Sequence, residues 1–250
     1  MSENEFRPGG NDFEDRLRAA KLEALAEFAA GAGHEINNPL ATILGRVERA
    51  LRRLDGAPSA GALNETRRDL RIIAGQAQRI RDMIGDLMLF ARPPAPHRER
   101  LDLGEAVRSA CGSLATFAAE RAIVLDVDLA PGVIVDADPV QTRVLASELI
   151  RNAIEASPAG GAVSVSLRAA DPSLAAQLLV VDAGPGLGPE DVEHLFDPFY
   201  SGRPAGRGLG FGLCKAWRIA ELHDARLTVA NRPAGGMEAS VDWPAAGRSA

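Results

Sequence analysis

The sequence predicts two units in series: an α-helical hairpin that dimerises as a four-helix bundle, then an α/β two-layer sandwich with helices covering one face of its sheet. Three observations carry that prediction. Apolar residues recur every three or four positions from Leu22 to Leu54 and, after Leu63, again from Leu70 to Phe90, the period of an amphipathic helix. The stretch "ARPPAPHRER", 91 to 100, then sets three prolines among charges and cannot continue a helix. Beyond it, short β-rich runs alternate with helical ones to the end of the chain.

Residues 1–12 are polar, hold the breaker "PGG" and are expected to form a flexible tail. The hairpin is assigned to residues 13–91. Its first helix carries the stripe Leu22, Leu25, Ala29, Ala32, Ile36, Leu40, Ile43, Val47, Leu51 and Leu54, and "DGAPSAGA" breaks it at 55–62. The second carries Leu63, Leu70, Ile73, Ala77, Ile80, Ile84, Leu87 and Phe90. Two helices sharing one stripe leave much of it wet, and a second copy of the chain covers it. Packing of both helices on the following unit is the alternative. Residues 92–100 form the linker and 101–246 the second domain. Strands are expected there at 123–129, 133–135, 163–168, 177–182, 226–231 and 237–243. Helices are expected near 104–120, 138–156 and 211–223.

Bulk properties narrow the function. The 250 residues are 46% hydrophobic and 25% charged, the composition of an ordinary globular protein at the size where one core becomes two. A net charge of -6 argues against nucleic acid as a partner. Cys111 and Cys214 lie far apart with no CxxC spacing, so neither a disulfide framework nor a zinc site is indicated, and a reducing cytoplasm is the expected location. No apolar run reaches the roughly 18 residues that span a bilayer, and no membrane segment is expected in this chain. Lysine appears only at Lys21 and Lys215, which reads as codon bias.

Four constellations carry chemistry. In "GAGHEINNPL", His34 stands two residues from both Ala32 and Ile36, roughly 200° from each around a helix, and so faces away from the seam. A metal site would need companions in a cluster or at the fourth position on, which is Asn38. Pro39 is expected to bend the helix beside it. An exposed imidazole is largely neutral near pH 7 and nucleophilic. Glu35 can orient it and take the proton released when nitrogen attacks phosphorus.

In "ELIRNAIEA", Glu148 and Asn152 share one helix face and offer hard oxygen donors suited to Mg²⁺ held with a triphosphate. A solvated polar face is the alternative. In "VVDAGPGLG", an apolar strand ends in Asp182, followed by Gly184 and Gly186. A carboxylate there can accept a hydrogen bond from the amino group of adenine, which separates adenine from guanine. In "GRGLGFGLCKAW", Gly208, Gly210 and Gly212 lead into a helix whose free amides face an anion. Between these last two, "LGPEDVEHLFDPFYSGRPAGR" is rich in glycine, proline and aromatics and reads as a lid.

In this order and spacing, the chain resembles the bacterial sensor histidine kinases from about residue 15 to 245. "HEINNPL" resembles the phosphoacceptor box, "ELIRNAIEA", "DAGPG" and "GRGLGFGL" the nucleotide boxes, and "LFDPFY" the aromatic lid box. The resemblance implies a sandwich of the histidine-kinase-like ATPase type that uses ATP and Mg²⁺. It implies that His34 is phosphorylated, that Glu35 is its acid/base partner, and that Asn38 positions water should the protein also dephosphorylate its partner. It places Mg²⁺ at Asn152 and Glu148, and adenine at Asp182. Gly184, Gly186, Phe199, Arg207, Gly208, Gly210, Gly212 and Leu213 become nucleotide contacts beneath a lid from Leu187 to Arg207. The implied partners are a second copy of the chain and a response-regulator receiver domain, whose aspartate takes the phosphoryl group.

One departure stands out. Many relatives carry a basic residue three places after the first-box asparagine, where this chain has Glu155. Arg151, Arg203 and Arg207 are the candidates to replace that charge. Two other readings are an ATPase of the same superfamily working as a conformational clamp, with Glu148 as general base, and a degenerate module that only binds a partner.

Overall fold

The computed structural model describes residues 10–55, 59–91, 94–169, 174–197, 200 and 210–244, and the chain divides into two compact units, 1–85 and 86–250.

In the first unit, helix α1 spans Gly10–Leu54 and α2 spans Ala60–Ala91. Helix α1 therefore begins inside the segment expected to be tail: acidic residues gather just behind "PGG", where they suit a helix N-terminus. It runs unbroken through Pro39, with the Thr42 hydroxyl donating to the Asn38 carbonyl one turn back. Ala50 and Met83 are buried. So is Asp69, 2% exposed, whose carboxylate bridges Arg46 and Arg53 at 2.6 and 2.5 Å. Seven residues apart, the two arginines stand on one face of α1 and straddle the aspartate of α2. The Arg46 hydrogen bond foremost, with Arg53 adding to it against the effect of burial, holds the Asp69 carboxyl below its ordinary range. Among the described residues, part of the apolar stripe is half-buried, at Ile36, Ile43, Ile73 and Ile80, and part is open. Leu40, Leu44, Val47, Leu51 and Leu54 on α1, and Leu63, Leu70 and Ile84 on α2, are 37–56% exposed, far more contiguous apolar surface than a lone hairpin keeps in water.

The second unit runs β1 (Glu99–Asp102), α3 (Leu103–Glu120), β2 (Val124–Leu129), β3 (Ile134–Ala137), α4 (Pro139–Ala156), β4 (Ala162–Ala169), β5 (Leu174–Val181), α5 (Pro189–Glu193), α6 (Gly212–Leu222), β6 (Arg226–Asn231) and β7 (Met237–Pro244). Five strands form one sheet in the order β2-β4-β5-β7-β6, with β2 parallel to β4 and the remaining pairs antiparallel. Strand β3 stands outside that sheet. It pairs antiparallel with β1, Leu101 opposite Val135, and β1 went unforeseen because the four residues "ERLD" show no strand alternation.

Alternation builds the core. Val163, Val165 and Leu167 of β4, Leu178 and Val180 of β5, and Val241 and Trp243 of β7 point inward. Leu145, Leu149, Ile150 and Ile154 of α4 are fully buried with them, each worth about 1.5–3 kcal/mol of burial. Helix α4 starts where it does because Asp138 caps it: Oδ1 accepts from the Val140 and Gln141 amides, and Pro139 follows at the first helical position.

The second half of the expected linker is fastened to this unit. The Gln141 side-chain Nε2 donates to the Pro94 carbonyl at 3.0 Å and the His97 N–H to Asp138 Oδ2 at 2.9 Å. Arg98 pairs with Asp224 and donates to the Leu222 carbonyl. Glu99 and Arg100 already belong to β1. Burial raises the Asp138 carboxyl, but the Gln141, His97 and Val140 amides outweigh it and leave it below its ordinary range.

His223, 2% exposed, ties α6 to the same corner. Its Nδ1 donates to the Ile219 carbonyl at 2.8 Å, and its Nε2 accepts from the Asp138 N–H at 3.0 Å. Protonation would turn that acceptor into a second donor facing an N–H. Burial above all pushes the imidazole below its ordinary 6.5. The unfolded chain then binds the extra proton first, so stability is full above about pH 6.5 and falls below it, by at most about 1.4 kcal/mol per pH unit, until the folded pKa is reached. Urea unfolding of wild type and His223→Gln between neutral and mildly acidic pH checks this: the wild-type profile should slope and the variant's should be flatter.

Candidate functional site

The hairpin presents "HEINNPL" as a polar ledge. His34 and Asn38 are both exposed on α1, one turn apart on one face, and Pro39 behind them is buried. Glu35 is half-buried, with Arg79 of α2 3.8 Å from its carboxylate. That contact draws the carboxylate along the hairpin while leaving the imidazole open to a large reactant.

In the sandwich, three chain segments converge. Helix α4 offers Glu148 and Asn152. The start of α6 lies directly against them: a Cβ placed on Gly212 would come within 3.1 Å of Asn152 Nδ2, 3.2 Å of Glu148 Oε2 and 3.3 Å of Asn152 Oδ1. That approach is tight for any side chain larger than glycine's, while the backbone conformation there is one that any residue adopts. No side chain caps the N-terminus of α6, an arrangement that suits an anion. Leu213 packs half-buried on the core, and Gly210 precedes the helix.

Asp182, at the exit of β5, is 2% exposed. Its Oδ1 accepts from the Gly184 amide at 2.7 Å and the Met237 amide at 3.1 Å. Its Oδ2 is buried and has no partner among the described residues. A buried acceptor left without a donor costs about 1–3 kcal/mol, and this one lies at the exit of a strand just ahead of a glycine turn. A Cβ on Gly184 would lie 2.9 Å from the Ala156 carbonyl, which ties the glycine after Asp182 to the end of α4.

Gly186 has φ +82°, and a Cβ there would meet Asn231 Oδ1 at 2.7 Å, so a side chain is excluded by both strain and space. Asn231 is one of the residues that sequence reasoning missed. Its Oδ1 accepts from the Leu187 N–H and its Nδ2 donates to the Leu187 carbonyl, at 2.7 and 2.8 Å, pinning the chain where the expected lid begins. A second is Lys215, whose Nζ is 2.6 Å from Glu148 Oε1. The signal was available: one of two lysines in an arginine-rich chain stands just behind the glycine run. A third is Trp217, whose ring centroid lies 6.1 Å from that of the lid aromatic Phe196, where the lid segment touches α6.

Of the arginines considered in place of Glu155, Arg151 turns to α3, its guanidinium 5.0 Å from the Phe117 ring centroid. Arg203, Arg207, Phe199 and Gly208 lie outside the described residues. The donor set fits a hard divalent cation completed by phosphate oxygens, one carboxylate and one amide beside an uncapped helix start.

Residues 137–247 match the family described as histidine kinase-, DNA gyrase B- and HSP90-like ATPases, and residues 24–96 the His Kinase A phospho-acceptor domain. The C4-dicarboxylate transport sensor protein DctS of Rhodobacter capsulatus is 31% identical over 92% of this chain and 35% of its own length. Sporulation kinase C of Bacillus subtilis is 30% identical over 90% of this chain and 50% of its own, and the sensor histidine kinase ZraS of Klebsiella oxytoca is 28% identical over 89% and 46%. The chain thus spans between a third and a half of the length of these relatives. Among solved structures, histidine kinase ThkA in complex with response regulator protein TrrA shares the fold at a TM-score of 0.69 and 20% identity, over 96% of this chain and 68% of that one. Mycobacterial sensor histidine kinase MprB matches at 0.53 and 26%, over 59% of this chain and 97% of that one. No helix among the described residues is long and apolar enough to cross a membrane. A helical hairpin that matches the phospho-acceptor domain and a sandwich that matches the histidine-kinase-like ATPases occur here in one chain, which belongs to the bacterial sensor histidine kinases.

Proposed function

We propose that the protein is an ATP-dependent histidine kinase that phosphorylates itself on His34 and passes the phosphoryl group to an aspartate of a response regulator, with a phosphatase activity toward that partner served by Asn38. The observation that carries the nucleotide half is the partnerless buried Oδ2 of Asp182: the exocyclic amino group of adenine donates to such an acceptor, and the carbonyl of guanine does not. Gly184 and Gly186 shape the loop under the base. Gly208, Gly210, Gly212 and Leu213 line the phosphates, with Phe199 and Arg207 contributed by the lid.

The reaction is in-line displacement at the γ-phosphorus. An imidazole nitrogen of His34 forms the new N–P bond as the bond to the β-phosphate oxygen breaks, ADP leaves, and the imidazole proton passes to Glu35. Glu148 and Asn152 would hold Mg²⁺, which when bound neutralises charge on the phosphate oxygens. Positioning supplies most of the remaining rate. The open apolar stripe from Leu40 to Leu54 is covered by a second copy of the chain in a four-helix bundle. The response regulator docks on the bundle around His34, in the cytoplasm.

Incubation with γ-labelled ATP and Mg²⁺ tests the reading. Label on the protein that is lost in acid and kept in alkali is the expected result. No label, or label stable to acid, overturns it.

A further inference from the structure

Beside the proposed metal donors lies a cation already built into the fold. Lys215 stands one turn into α6, with its Nζ 2.6 Å from Glu148 Oε1, and the two side chains are only 10% and 18% exposed. The other carboxylate oxygen faces the start of the same helix, 3.2 Å from where a Gly212 Cβ would be. Glu148 is therefore gripped by one oxygen and presents the second beside Asn152. Ammonium and carboxylate cancel, and the amide of Asn152 is neutral, so these three side chains together offer a divalent ion donor atoms with no net charge. Among the described residues no group of three or more His, Cys, Asp or Glu comes together to hold a metal. A small divalent cation sheds water reluctantly and needs anionic ligands to repay that loss. Here the missing charge has to come with the ligand.

We propose that Lys215 is a positioning residue that keeps Glu148 half-neutralised, so that the site takes up a divalent cation only together with the phosphates of a nucleotide. This rests on the nucleotide reading above. It adds to that reading an order of assembly: free metal is refused and metal–nucleotide accepted.

Mn²⁺ titration followed by the electron paramagnetic resonance of the free ion tests it, on the full chain without nucleotide and then with a non-hydrolysable ATP analogue. Wild type should bind Mn²⁺ measurably only with the analogue. Lys215→Met should bind Mn²⁺ without nucleotide, roughly tenfold or more tighter than wild type, because a unit charge next to the ion has gone. Lys215→Arg should restore the wild-type pattern, and Glu148→Gln placed in the Lys215→Met chain should abolish the new binding. Lys215→Gln, which keeps polarity while removing charge, serves if the methionine variant does not fold. Nucleotide-free Mn²⁺ affinity equal in wild type and in the folded charge-removing variant overturns the proposal. If instead no protein binds the analogue, the nucleotide reading fails by itself, visibly apart from the Lys215 effect.

Discussion

His34→Gln should carry no acid-labile phosphate after incubation with labelled ATP, while its melting temperature, its dimer and its affinity for ATP stay those of the wild type. The separation follows from where the residue sits. His34 is exposed on α1, so an amide in its place removes no packing, and exposed substitutions away from caps and cores leave stability nearly unchanged. The chemistry is another matter. A glutamine amide nitrogen has its lone pair delocalised and cannot attack phosphorus, so the loss should be complete to background rather than partial. Undiminished label on the variant would place the acceptor elsewhere and end the assignment of His34. Asn38→Ala, one turn on, should keep the label, because it lies beside the nucleophile and takes no part in forming the N–P bond.

Asp182→Asn should weaken ATP binding by roughly tenfold to a hundredfold, the worth of a buried hydrogen bond to a charged acceptor. Asparagine is the informative choice. Its amide oxygen can keep the two bonds that Oδ1 accepts from the Gly184 and Met237 amides. Its Nδ2 then puts a donor where Oδ2 offered an acceptor, so preference for adenine over guanine should be lost along with affinity. Alanine would also strip the two amides of their acceptor and confuse folding with binding. Calorimetric titration with ATP and GTP, beside a melting curve, reads both effects, and unchanged ATP affinity with a normal melt would refute the adenine assignment.

The main architecture was legible because it rests on signals the chain repeats. The hairpin announces itself through a three-and-four spacing held over both long helices, and the central strands through alternation at Val163, Val165 and Leu167. Asp182 could be singled out only by its place among the other boxes, because an acid at the end of an apolar strand is by itself an ordinary strand-turn residue. What escaped reading depends on partners distant in sequence. Strand β1 is a strand only because β3 lies beside it. Asn231 looks like an ordinary turn residue until Leu187 is brought against it. Lys215 and Glu148 belong to different helices, and nothing local to either predicts that they meet. Asp69 likewise reads as one more surface acid on a helix, and its burial between Arg46 and Arg53 is known only once the hairpin closes.

The fastening of Pro94, His97 and Arg98 onto Gln141, Asp138 and Asp224 changes the reach of the catalytic unit. A free tether running from residue 92 to 100 would let the sandwich wander. Fixing residues 94–100 removes seven residues of slack, about 24 Å of extended chain. A protein fragment begun at Leu101 should melt lower than one begun at Pro94, having left behind the amide of His97 and the guanidinium of Arg98.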